Sequence, residues 1–118
     1  MRALALATAA TAFLVSPAIA EGFQKVHDKN RFVSLIQDRE LKRLGISVKV
    51  TEDGRIRGRA FGYDVTGAWT WDGGYFCRDL FWGGDELGFN CQMVQVNGET
   101  VRFISDRGAG QFADLRLD

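Results

Sequence analysis

The apolar positions of the chain fall into three regimes. The first is continuous. Residues 3–15 are apolar, mostly small and aliphatic, interrupted only by Thr8 and Thr11, and follow a single cation at Arg2. Ser16 and Pro17 break the run, and Ala18-Ile19-Ala20 precedes Glu21. A positive start, a short apolar stretch and an A-x-A site form the pattern of a secretory signal peptide, cleaved here after Ala20. The run is too short for a membrane span of about 20 residues. No cysteine follows the cleavage site, so no lipid anchor is expected, and no second apolar run appears. The expected organisation is a signal peptide at 1–20 and one domain at 21–118, periplasmic or secreted, with no membrane span after cleavage.

The second regime is helical. Phe32, Val33, Leu35 and Ile36, then Leu41 and Leu44, predict helical character within Asp28–Leu44. Asp28 or Asn30 suits the N-cap, and Gly45 the position after the C-cap. The apolar face slips around Asp38-Arg39-Glu40, where a break or a second short turn is expected.

The third regime alternates. Ile46-Ser47-Val48-Lys49-Val50 reads as a half-buried strand. A three-residue loop with Gly54 left-handed pairs Val50 with Ile56 and Val48 with Gly58, which keeps apolar residues on one face. Lys49, Arg55, Arg57 and Arg59 then share the solvent face. A type II′ turn at Gly62-Tyr63 aligns Ala60 with Val65 and Ile56 with Trp69. Turn signals at Asp72-Gly73-Gly74, Trp82–Glu86, Asn97-Gly98 and Asp106–Gly110 separate strands near 75–81, 87–96, 99–105 and 111–117. The expected fold is α+β, mostly β. It is an N-terminal helix followed by about seven antiparallel strands in a meander or partly closed barrel, the helix covering one opening or face.

Composition narrows the function. The 118 residues carry 15 cationic and 15 acidic side chains. Without the signal the balance is one net negative charge, so no nucleic-acid partner is expected. A hydrophobic share of 46% excludes intrinsic disorder. Cys77 and Cys91 lie almost symmetrically about Gly84, so a hairpin centred there brings them together. In an oxidising compartment the pair is expected to form one disulfide. There is no C-x-x-C and no clustered histidine, so no metal site is expected.

Catalytic motifs are missing from the pattern. His27 is the single histidine and precedes the helix. Ser34, Ser47 and Ser105 lie outside any G-x-S-x-G elbow. The glycines at 54, 58 and 62, and at 108 and 110, do not open a helix after a strand, so no nucleotide cofactor is expected. The densest feature is aromatic: Trp69, Trp71, Tyr75, Phe76, Phe81, Trp82 and Phe89 surround the cysteines. Gly58, Ala60 and Gly67 leave space on the face shared with the tryptophans. The candidate binding residues for a small ligand or a periplasmic protein are therefore Trp69, Trp71, Arg78, Asp79 and Trp82. The four-cation stripe reads as a solvated sheet face, because four charges on a near-neutral domain make a weak field.

The segments Asp53-Gly54-Arg55-Ile56, Gly67-Ala68-Trp69-Thr70-Trp71, Gly74-Tyr75-Phe76-Cys77-Arg78, Asn90-Cys91-Gln92 and Ser105-Asp106-Arg107-Gly108 resemble a group of short exported bacterial proteins of unknown function. The resemblance covers most of 21–118 and implies export. Some members of that group are labelled dihydrodipicolinate reductase, which would imply an enzyme. The Gly-Trp, Cys, Cys arrangement is also similar to that of small periplasmic lysozyme inhibitors, at the level of architecture. The leading expectation is a non-enzymatic exported domain that binds through the aromatic hairpin. The alternatives are an enzyme, including the reductase, and a structural or lysozyme-inhibitor-like envelope component.

Overall fold

The computed structural model describes residues 22–118, and the signal-peptide assignment falls on residues 1–20, outside them. Along the described chain run β1 (Gln24–Lys25), α1 (Lys29–Ile36), β2 (Leu41–Arg43), β3 (Ile46–Val50), β4 (Arg55–Ala60) and β5 (Tyr63–Asp72). There follow β6 (Tyr75–Trp82), β7 (Asp85–Glu86), β8 (Asn90–Asn97), β9 (Thr100–Ile104) and β10 (Phe112–Leu117). Strands β2, β3, β4, β5, β6, β8, β9 and β10 pair in that order, and β10 returns to β2. The result is a closed antiparallel barrel of eight strands. The two-residue β1 and β7 add to β8 and β6.

Seven of the barrel strands match the alternating segments of the sequence. The eighth, β2, lies inside the stretch read as helical. The helix stops at Ile36, and the next residues reverse direction through Asp38, whose φ is +59°. Leu41 then pairs with Leu117 on one side and Val48 on the other. The seam is sewn further by the Glu40 and Asp118 backbones, which bond reciprocally at 3.2 and 2.9 Å. The helix is also not the first element, since β1 precedes it. Its N-cap is Asp28, whose carboxylate accepts from the Arg31 N–H at 2.9 Å. Gly45 sits in the β2–β3 turn instead of closing the helix.

The predicted β3–β4 register holds: Val50 faces Ile56 and Val48 faces Gly58. The β4–β5 register differs by two residues, because Ala60 faces Tyr63 and Ile56 faces Gly67. The turn uses Phe61 and Gly62, both at positive φ, as a type I′ turn requires. A left-handed phenylalanine is unusual, and three contacts hold it. Its N–H donates to the Gly45 carbonyl at 2.8 Å, its ring covers Gly45, and Arg59 ties the turn through the Gly62 carbonyl and Asp64. The β8–β9 turn likewise falls on Gly98-Glu99, one residue later than expected. That choice sets Val96 opposite Val101, where the expected turn would set Val96 opposite Glu99.

The space inferred at the glycines is filled by backbone. A Cβ at Gly58 would lie 2.1 Å from the Ser47 carbonyl oxygen, and one at Gly67 2.3 Å from that of Asp79. Both glycines mark places where the backbone of a neighbouring strand approaches closely, as suits a small closed barrel.

The helix plugs one end of the barrel. Phe32 is wholly buried and packs on Trp69, Trp71, Phe76 and Phe103 at centroid distances of 5.1–6.3 Å. Ile36 and Val26 are buried with it. Each such side chain contributes about 1.5–3 kcal/mol on burial. The Cys77–Cys91 disulfide joins directly opposed residues of β6 and β8, as expected.

Candidate ligand site in the barrel lumen

An up-and-down barrel puts alternate connections at opposite ends. The β3–β4, β5–β6 and β8–β9 turns lie at the end plugged by α1. The β2–β3, β4–β5 and β6–β7 turns and the 105–111 connection lie at the other. Between plug and open end the inward side chains leave a cavity of about 210 Å³. Its wall is mainly aliphatic and aromatic: Leu41, Val48, Ile56, Leu80, Phe103 and Leu115. Two polar side chains, Arg78 and Gln92, share that wall. An apolar lumen with a few placed polar groups is the usual form of a small-molecule site in a barrel mouth.

Arg78 reaches the lumen because of its phase. Strand β6 alternates Phe76, Arg78, Leu80 and Trp82 on the inner face with Tyr75, Cys77, Asp79 and Phe81 on the outer. The wall opposite Arg78 carries a bulge. Phe81 faces Glu86 and Arg78 faces Asn90, so three steps along β6 match four on the adjoining strand. The extra residue is accommodated at Gly88, whose φ is +88°. The Arg78 Nη1 donates to the Gly88 carbonyl at 2.7 Å. Among the described residues, no carboxylate lies within ion-pair distance of this guanidinium. Burial pulls its pKa below the ordinary arginine value, with the charge of Asp79 opposing. Arginine nonetheless stays protonated in proteins, so the lumen wall holds a half-buried cation with most of its five donors uncommitted.

Gln92 is 92% buried on β8, the adjoining strand, opposite Phe76. Its Nε2 donates to the Ser105 hydroxyl at 3.3 Å. At the mouth, Asn90 exchanges two hydrogen bonds with Asp106, at 2.8 and 2.9 Å, and so anchors the 105–111 connection. Leu44, Phe61, Leu87 and Phe89, on turns and loops, and Tyr63, the first residue of β5, stand exposed at the same end.

The five candidate residues of the sequence occupy four settings. Trp69 is buried against the plug, and its Nε1 donates to the Thr51 carbonyl at 2.8 Å. Trp71 stacks on Phe32, and its buried Nε1 has no partner. Arg78 faces the lumen. Asp79 is on the outer face opposite Ala68. Trp82 lies near the open end, its Nε1 donating to the Ala60 carbonyl at 2.8 Å and its edge meeting Tyr63. The hairpin is therefore one wall of the lumen. Gln92, Ser105 and the Gly88 bulge are not among the candidate binding residues that the sequence predicts. The readable signal was Arg78 itself, a charged residue in the apolar phase of its strand.

Other surfaces are more polar. Lys49, Arg55, Arg57 and Arg59 share the outer face of β3 and β4, as predicted, and Arg59 pairs with Asp64 at 2.7 Å. A cleft of about 450 Å³ separates the end of α1 from the β3–β4 turn and is lined by Gln37, Asp38, Arg39, Lys49, Glu52 and Asp53. Arg102 is clamped between the rings of Phe23 and Phe112, each 4.0 Å away, and forms a double hydrogen bond to Asp114. His27 is exposed. Among the described residues, no helix is long and apolar enough to cross a membrane.

No protein-family model, no curated protein and no solved structure matches the chain.

Proposed function

We propose that this protein is an exported, non-enzymatic binding domain that takes a small, largely apolar ligand into its barrel lumen. The observation that carries the reading is the lumen itself. It is a cavity of about 210 Å³ with apolar walls, open at one end, plugged at the other and provided with two placed polar groups. The volume equals about seven water-sized groups at about 30 Å³ each, so the ligand is small. Export is supported by the leader pattern and by the disulfide, a bond that persists in oxidising compartments. The resemblance to short exported bacterial proteins agrees with that location. A reductase would need a nucleotide site, and no strand–glycine loop–helix unit occurs among the described residues.

The test is native mass spectrometry of the protein recovered from the envelope fraction of its own cells. The expected species begins at Glu21, has lost two hydrogens to the disulfide, and releases a small molecule on unfolding. Ala113→Trp, which places an indole in the lumen, is expected to lack that molecule. Wild-type protein with an empty lumen, or equal loading of the variant, contradicts the reading.

A further inference from the structure

The proposed function leaves the chemical class of the ligand open. From the surroundings of Arg78 we infer that the ligand is a monoanion, a carboxylate on an apolar body of about six carbons; this rests on the lumen reading above.

A guanidinium taken partly out of water loses hydration that must be replaced. In a wall built only for stability, a carboxylate would normally stand beside it. Here the single hydrogen-bonded acceptor is the neutral Gly88 carbonyl, and that oxygen is offered by a bulge in the barrel wall. Asp79, its neighbour in sequence, points to the opposite face of the sheet and does not bond it. The cation is fixed in direction by Gly88, while its remaining donors have no protein partner. A planar fork of donors fits a carboxylate in two parallel hydrogen bonds.

The rest of the lumen sets the other end of the ligand. Gln92 sits on β8 two residues from Asn90, the partner of Arg78 in the ladder. Its amide nitrogen donates to Ser105, and the side chain adds a neutral polar group to the wall that holds Arg78. Among the described residues, Arg78 is the one charged side chain in the lumen wall, so it balances one anionic group and leaves a second negative charge uncompensated. Beyond these two residues the wall is apolar up to the Phe32 plug. A single charged head with an uncharged tail matches that division. Against a total of about seven water-sized groups, a six-carbon acid fills the space and a long acyl chain overfills it.

Isothermal titration of the purified protein with hexanoate, 1-hexanol and hexylamine tests the class. Hexanoate is expected to bind at least tenfold more tightly than hexanol, and hexylamine more weakly than either. Arg78→Met should abolish the preference for hexanoate while retaining hexanol binding. The wild-type comparison stands by itself should that variant fold poorly. Ala113→Trp should weaken all three probes. Equal binding of hexanol and hexanoate, with both lost in Ala113→Trp, overturns the anion assignment and leaves the lumen as the site. Tighter binding of hexylamine overturns it in the same way. Hexanoate binding that survives Ala113→Trp places the acid elsewhere, on a surface such as the Lys49–Arg59 stripe, and overturns it too. Binding of none of the three by folded protein overturns both readings.

Discussion

Gly58→Ala tests whether the barrel is closed as tightly as described. The added methyl would lie 2.1 Å from the Ser47 carbonyl oxygen and 2.6 Å from the Val48 Cα. Both contacts are backbone, so no rotamer relieves them. Restoring an ordinary contact moves β4 away from β3 by roughly 1 Å. That shift stretches neighbouring ladder bonds from about 2.9 Å to nearly 4 Å, beyond useful length. Losing two such bonds costs about 1 kcal/mol each, and the residual overpacking adds about 1–3 kcal/mol. The stiffer unfolded chain returns about 0.4–1 kcal/mol. The net loss is about 2–4 kcal/mol, or roughly 10–30 °C in Tm for a domain of this size. Urea denaturation followed by tryptophan fluorescence measures it, with Thr66→Ala on the exposed outer face of β5 as the control, expected within about 0.5 kcal/mol of wild type. A Gly58→Ala loss no larger than the control would refute the close approach of β3 and β4.

Two further predictions concern the staples of the fold. Replacing Cys77 and Cys91 together by serine removes a link across 14 positions of sequence, and the chain-entropy model puts the loss near 3 kcal/mol; a drop below about 1 kcal/mol in the same assay contradicts the disulfide's stabilising role. The carboxyl of Asp114 is held below its usual range by hydrogen bonding to Arg102, with burial opposing. That of Asp118 is lowered mainly by its hydrogen bond to Lys42. Both folded-state values are depressed, so their stabilisation is present above the unfolded carboxylate pKa of about 4 and is lost as pH falls through the folded values. Urea midpoints should therefore fall on acidification below about pH 4, less steeply in Asp114→Asn, and midpoints that stay level or rise there contradict the assignment.

Much of the wall was legible from parity. Alternation separates Val48, Val50 and Ile56 from Lys49, Arg55 and Arg57, and only one β3–β4 register honours that separation. The disulfide followed from the symmetry of Cys77 and Cys91 about a turn. Closure was not legible, because it depends on β2, three residues of which two are charged. Leu41-Lys42-Arg43 has no local strand signal and becomes a strand by lying between β3 and β10. The β4–β5 turn falls one residue earlier than the sequence predicts, because a left-handed phenylalanine is disfavoured locally and its compensation at Gly45 is distant in sequence. The lumen was half legible. Arg78 stood out among aromatic residues, but its inward aim follows from the pairing of β6 with both β5 and β8. The bulge that supplies the Gly88 carbonyl depends on a count of residues across two strands, and Gln92 gains meaning only once β8 faces inward.

The central claim is that the lumen is a binding site with Arg78 at its polar end. The most direct measurement is the set of nuclear Overhauser contacts between bound hexanoate and the protein. Contacts are expected from the chain methylenes to Val50, Ile56 and Phe76, on the side of the plug, with the carbon next to the carboxylate nearest Arg78. Contacts confined to Leu44, Phe61 and Phe89 at the rim, or to residues of the outer face, would contradict it.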